Sequence, residues 1–170
     1  MKYGKYLLFL VLLLPAFVMR DYTPDNELRY LSIADEALRD HSFFAFHNHG
    51  LAYADKPPLY LWLVMLGKAL FGVHSMLYLS LLSLIPAMVI LITMDKWLEN
   101  STDKKNRATL QLMLLSTGYF IGSAVVLRMD IMMTMFIVLA MRTFYKMYTG
   151  EGGKYDSVLF PVYVFMALFT

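Results

Sequence analysis

Long apolar runs separated by short charged segments set the frame of this chain. Residues 6–19 carry no charge and lie between Lys5 and Arg20. Fourteen residues are short for a span of about 20, but flanking cations can snorkel and lengthen the usable segment. A basic start before an apolar core also suits a signal peptide, yet Pro15–Arg20 offers no small-x-small cleavage site, so the run reads as an uncleaved anchor. Residues 75–94 and 108–127 are two uncharged runs of 20, each read as a spanning helix. Pro86 is expected to kink the first, because proline removes a ladder donor and clashes with the preceding turn. A fourth run, 131–148, contains Arg142 in its last two turns, where the head group reaches the interface. The last, 157–170, reads as a span cut off partway, so the chain resembles the front piece of a longer protein. The expected fold is an all-α polytopic membrane bundle with spans at about 5–20, 75–95, 108–127, 131–148 and 157–170.

Residues 57–72 decide the topology. At about 1.5 Å per residue this segment reaches only about 24 Å, short of the hydrocarbon core. If it crossed, the loop with Lys96, Lys104, Lys105 and Arg107 would fall outside. If it lies in the interface, that loop and the 142–154 turn fall in the cytoplasm, as the positive-inside rule favours. Residues 21–72 then form an external loop with interfacial helices, and the 128–130 turn lies on the same side. Seven of the thirteen acids fall between Asp21 and Asp55.

Within that loop, Thr23-Pro24-Asp25-Asn26-Glu27 reads as a helix start, with a threonine cap, proline in the first turn and acids near the positive dipole end. Tyr30, Ile33, Ala34, Ala37 and Leu38 follow a one-sided helical spacing. Asp25, Arg29, Glu36 and Asp40 then share the opposite stripe, which on pattern alone is a solvated face of a helix lying flat on the bilayer. His41, His47 and His49 read as surface histidines. Asp55-Lys56-Pro57-Pro58 marks a helix boundary. Arg128 and Asp130 sit between two apolar runs, where charge is costly without a partner or water. Two explanations stand: a mutual ion pair at the hairpin tip, or a cavity shared with Asp25 and Asp55.

Composition narrows the class. The chain of 170 residues is 59% hydrophobic and 16% charged, with mean hydropathy +0.54, against about 45–50% and about 25% for soluble domains. A cytosolic enzyme and a disordered tail are both excluded by this. Net charge is +2, too balanced for a nucleic-acid binder. There are no cysteines, which removes disulfide scaffolds, thiolate zinc sites and cysteine nucleophiles.

Glu27-Leu28-Arg29-Tyr30, the amphipathic helix, His47-Asn48-His49-Gly50 and Tyr53-Ala54-Asp55-Lys56-Pro57-Pro58 occur in an order that resembles the first external loop of membrane glycosyltransferases using polyprenyl-phosphate sugars. That superfamily includes protein O-mannosyltransferases and lipid A aminoarabinose transferases. Its pattern is roughly Asp-Glu-x-Arg-Tyr, then Tyr-Phe-Glu-Lys-Pro, and the Arg29-to-Lys56 interval matches without a gap. Leu127-Arg128-Met129-Asp130 is similar to the family's Arg-Pro-Asp turn. The family's Asp-Glu pair falls on Asn26-Glu27, with Asp25 one place earlier, and Asp55 stands where the family usually has Glu.

The resemblance implies an inverting transfer from a polyprenyl-phosphate sugar donor to a lipid, glycan or protein acceptor, with no nucleic-acid partner. It implies catalytic roles for Asp25 or Glu27, with Asp25 preferred as base. Substrate binding falls to Arg29, Tyr53, Lys56, Arg128 and Asp130, and Asp55 is a ligand for a divalent metal. It places the protein in a bacterial inner membrane with the site facing the periplasm or exterior. The isolated 170 residues are expected to be inactive. A non-enzymatic membrane protein, such as a transporter module or bundle subunit, is the alternative; a transporter would place its charges near the midplane, whereas here they gather at one surface.

Overall fold

A computed structural model describes residues 4–170, without the side chains of residues 5–7 and 18; Lys2, part of the basic N-terminal flank, lies outside the described residues. Eight helices and one short hairpin follow in the order α1 (Gly4–Met19), α2 (Glu27–Arg39), β1 (Phe46–Asn48), β2 (Leu51–Tyr53), α3 (Pro58–Phe71), α4 (Met76–Trp97), α5 (Lys104–Ser116), α6 (Gly118–Val125), α7 (Met129–Tyr148) and α8 (Asp156–Phe169).

The buried side chains form two clusters. One joins Tyr30, Ile33, Ala34 and Ala37 of α2 to Phe46, to Tyr60, Leu61 and Val64 of α3, to Leu79 of α4, and to Leu127, Met129 and Met132. The apolar stripe expected on α2 is thus its buried face. Full burial of a side chain such as Ile33 contributes about 1.5–3 kcal/mol. The other cluster lies among α1, α4, α6 and α7, through Phe9, Leu13, Phe17, Leu84, Leu91, Phe120 and Ile131. The starts of α4 and α7 both join the first cluster, so these two helices run parallel, with their C-terminal ends at the far side of the bundle.

Among the described residues, only α4 is by itself long and apolar enough to cross a membrane, and it continues as one helix through Pro86. The apolar part of α1 (Leu8–Phe17), α3 and α8 are shorter. Arg142 and Lys146 dilute the last turns of α7. The expected straight span at 108–127 is a bent pair: α5 and α6 meet at 68° and pass as one span only when taken together. The break has a local cause. The hydroxyls of Ser116 and Thr117 both donate to the Met113 carbonyl, at 2.8 and 3.2 Å, competing with the helical ladder. Thr117 is extended (φ −71°, ψ 114°) and Gly118 opens the new helix. Five expected spans therefore reduce to one helix, or two with the bent pair, that meets the length and composition of a crossing.

The fold is all-α, with one unforeseen element, a short hairpin of two three-residue strands. Asn48 faces Leu51 across a two-residue turn, His49-Gly50, with φ values of 54° and 76°. Positive φ at both positions is the geometry that matches the twist of short hairpins.

Candidate functional site

The approach to α2 is built around Glu27. The helix begins at Glu27, later than the Thr23 cap suggested, and residues 24–26 form a turn. Both Glu27 oxygens are used twice. Oε2 accepts from Arg20 Nη1 at 2.7 Å and the Thr23 amide at 2.6 Å; Oε1 accepts from Arg20 Nη2 at 2.7 Å and the Leu127 amide at 2.6 Å. The side chain is fully buried. Burial pushes its pKa up, but the Arg20, Thr23 and Leu127 bonds outweigh that and hold it below the usual carboxylate value. A carboxylate so occupied ties the end of α1 to the junction before α7 and has no free lone pair for a proton from solvent. Among the two acids offered for catalysis, the geometry gives Glu27 a structural part.

Asp25 is exposed in the turn before α2. It borders two cavities. One, about 350 Å³, is lined also by Thr23, Asn26, Tyr119, Ser123 and Arg128; the other, about 360 Å³, by Leu28, Arg29, Ser32, Asn48 and His49. A third, about 650 Å³, continues along α2 past Ser32 and His49 to Asp35, Glu36 and Arg39. The hairpin is held over this groove by the Gly50 amide, which donates to Glu36 Oε1 at 2.9 Å.

Arg128 and Asp130 form the ion pair expected at the hairpin tip, Nε to Oδ2 at 2.8 Å. Both remain about a third or more exposed (40% and 34%), so Arg128 faces the Asp25 cavity while paired. Tyr53 donates to Asp55 Oδ2 at 3.4 Å, and Arg29 lies close enough to act on the same hydroxyl. Burial and then the Asp55 charge push the Tyr53 hydroxyl up, while Arg29 opposes them. Lys56 Nζ lies 3.8 Å from Asp55 Oδ2. The residues thus gather in two neighbouring groups, Asp25 with Arg128 and Asp130, and Arg29 with Tyr53, Asp55 and Lys56. Arg29 links them, since it also lines an Asp25 cavity; Asp55 lines none of the three cavities described. Asp55 stands as a single oxygen donor beside Lys56, and among the described residues no three His, Asp or Glu side chains converge as a ligand set.

One polar cluster has no signal in the local sequence. Asp35 Oδ1 accepts from Lys68 Nζ at 2.5 Å and lies 2.6 Å from His74 Nε2. It ties α2 to the end of α3 and the loop before α4. Partners 33 and 39 residues away leave no spacing to read.

Known proteins share sequence and fold with this chain. The family model described as dolichyl-phosphate-mannose-protein mannosyltransferase matches residues 55–169. An undecaprenyl phosphate-alpha-4-amino-4-deoxy-L-arabinose arabinosyl transferase of Pseudomonas savastanoi pv. phaseolicola is 39% identical over 69 residues, 36% of this chain and 13% of the relative. An uncharacterized protein of Aquifex aeolicus is 26% identical over 154 residues, 84% of this chain and 30% of its own length. ArnT from Cupriavidus metallidurans in the apo state superposes with a TM-score of 0.69 at 18% identity, over 98% of this chain and 31% of that one. Its undecaprenyl phosphate-bound crystal structure gives 0.66 at 19%, over 83% and 27%. These two likenesses show a shared fold. The chain spans well under half the length of the curated relatives it matches.

Proposed function

The chain belongs to the dolichyl-phosphate-mannose-protein mannosyltransferase family, and from that premise we propose that it carries part of the active site of an integral membrane glycosyltransferase. The donor is a polyprenyl-phosphate sugar, and transfer inverts the anomeric carbon. The acceptor is a lipid, glycan or protein on the outer face of a bacterial inner membrane, and a hydroxyl acceptor is the case that needs a base. The remaining apolar helices, α1, α7 and α8, cross the membrane with α4 and the α5–α6 pair.

The observation that carries this reading is Asp25: exposed, and common to two cavities that also hold Arg128 and Arg29. Asp25 takes the acceptor's hydroxyl proton as its oxygen attacks the anomeric carbon. The carbon–oxygen bond to phosphate breaks, and its electron pair leaves with the polyprenyl phosphate. That leaving group is already an anion, so the site needs positive charge rather than a general acid. Arg128 and Arg29 supply it at the cavities, with Lys56 beside Tyr53 and Asp55. Asp130 holds Arg128 in place through their 2.8 Å bond. With Asp55 a single donor beside Lys56 among the described residues, no step of this transfer is routed through a divalent metal.

The test is Asp25→Asn in the full-length protein. General-base loss lowers transfer by about 10²–10⁴-fold, and the melting temperature should not move, because Asp25 is exposed in a turn. Near-normal transfer overturns the assignment of Asp25 as base.

A further inference from the structure

A polar cavity of about 290 Å³ lies at the far end of the bundle, where α4 and α7 finish. That is space for about ten liquid waters. Its lining includes Lys96, Trp97, Glu99, Arg142, Tyr145 and Glu151. It sits some 22 residues of α4 away from the α2 layer, about 33 Å at helical rise, so it belongs to the opposite membrane surface. Nothing in the transfer chemistry uses it.

The charges around it divide into committed and uncommitted groups. Lys146 is bonded to Asp156 at 3.2 Å, and Glu99 pairs with Arg107 at 3.8 Å. Arg142 adds a longer-range attraction to Asp156. Among the described residues, Lys96, Arg142 and Glu151 make no direct side-chain bond. Two free cations and one free carboxylate therefore border one cavity. The Trp97 and Tyr145 rings touch beside them, centroids 5.7 Å apart, at the level where aromatic side chains mark a membrane interface. A different face of α7, through Met141 and Phe144, lines an apolar groove of about 490 Å³ against α8, which shares no residue with the cavity.

We propose that this cavity binds the head group of an aminophospholipid, its phosphate held by Lys96 and Arg142 and its ammonium by Glu151. Basic pockets between helices at a membrane surface are recurrent lipid sites; here the unpaired carboxylate selects a head group that carries both signs. The site is independent of the proposed transfer reaction.

Native mass spectrometry of the full-length protein, released from micelles doped with equal phosphatidylethanolamine and phosphatidylglycerol, tests it. The wild type should retain phosphatidylethanolamine in preference. Lys96→Ala/Arg142→Ala should lower retention of both lipids, by about fivefold per cation. Glu151→Gln, at an exposed position, should keep binding but erase the preference, and it carries the test if the double variant fails to fold. Equal retention of the two lipids by the wild type, or undiminished retention by a folded double variant, overturns the proposal. Displacement of the lipid by soluble phosphoethanolamine at equal concentration also overturns it, by assigning the cavity to a free solute.

Discussion

Replacing Glu27 by Gln keeps the side-chain shape and removes its charge. In the structure that carboxylate accepts four bonds at 2.6–2.7 Å while fully buried. An amide has one accepting oxygen, so in either orientation its NH₂ must face one Arg20 nitrogen and one backbone amide, that of Thr23 or Leu127, donor against donor. Arg20, only 15% exposed, loses its counter-charge. Removing one partner of a buried pair costs about 3–5 kcal/mol. Summing the individual bonds would overshoot this, since they act as one unit. For a folding unit of about 150–250 residues, that cost lowers the melting temperature by about 6–20 °C, and by less in a longer protein. Thermal unfolding of the purified full-length protein in detergent measures it. The pH profile gives a second readout. The folded carboxyl titrates below its ordinary value of 4.5, so its contribution is whole above that pH and fades as pH falls through the folded value. The variant has no such carboxyl, and the gap between the two proteins should therefore narrow on acidification. An unchanged melting temperature, or a gap indifferent to pH, refutes the structural role. A stable variant that loses transfer returns Glu27 to catalysis.

Other consequences can be measured directly. Lys56→Ala should raise the KM for the polyprenyl-phosphate donor by about tenfold, with little change in melting temperature; an unchanged donor KM removes Lys56 from phosphate recognition. Gly67 is buried where α3 meets α4, and a Cβ there would run into the Tyr78 ring. Gly67→Ala should destabilise the protein by about 1–3 kcal/mol, seen as a lower melting temperature, and equal stability would mean the two helices separate without cost. Leu51, 75% exposed beside the hairpin turn, should react as cysteine with an impermeant maleimide from outside intact cells; labelling only after permeabilisation reverses the orientation.

The sequence made α2 legible because its burial follows a helical period: Tyr30, Ile33, Ala34 and Ala37 are all in the core. The crossing α4 was legible from an uninterrupted uncharged run. The same signal misled at 108–127, where apolar composition is continuous and the break depends on two hydroxyls taking one carbonyl. Strands of three residues are too short for alternation to declare itself, so the hairpin was missed, though Gly50 at a positive φ was its trace. Arg128–Asp130 could be anticipated as a local pair. Glu27 could not: its bond to the Leu127 amide joins residues 100 apart, and only the fold makes that contact.

The Gly50 amide resting on Glu36 separates anchoring from recognition. What fastens the turn is backbone and a helix carboxylate, while Asn48 and His49 line the cavity beside Asp25. Positions 47 and 48 can therefore change identity while their scaffold stays put, whereas position 49, at a φ of 54°, is confined to residues that tolerate a left-handed backbone.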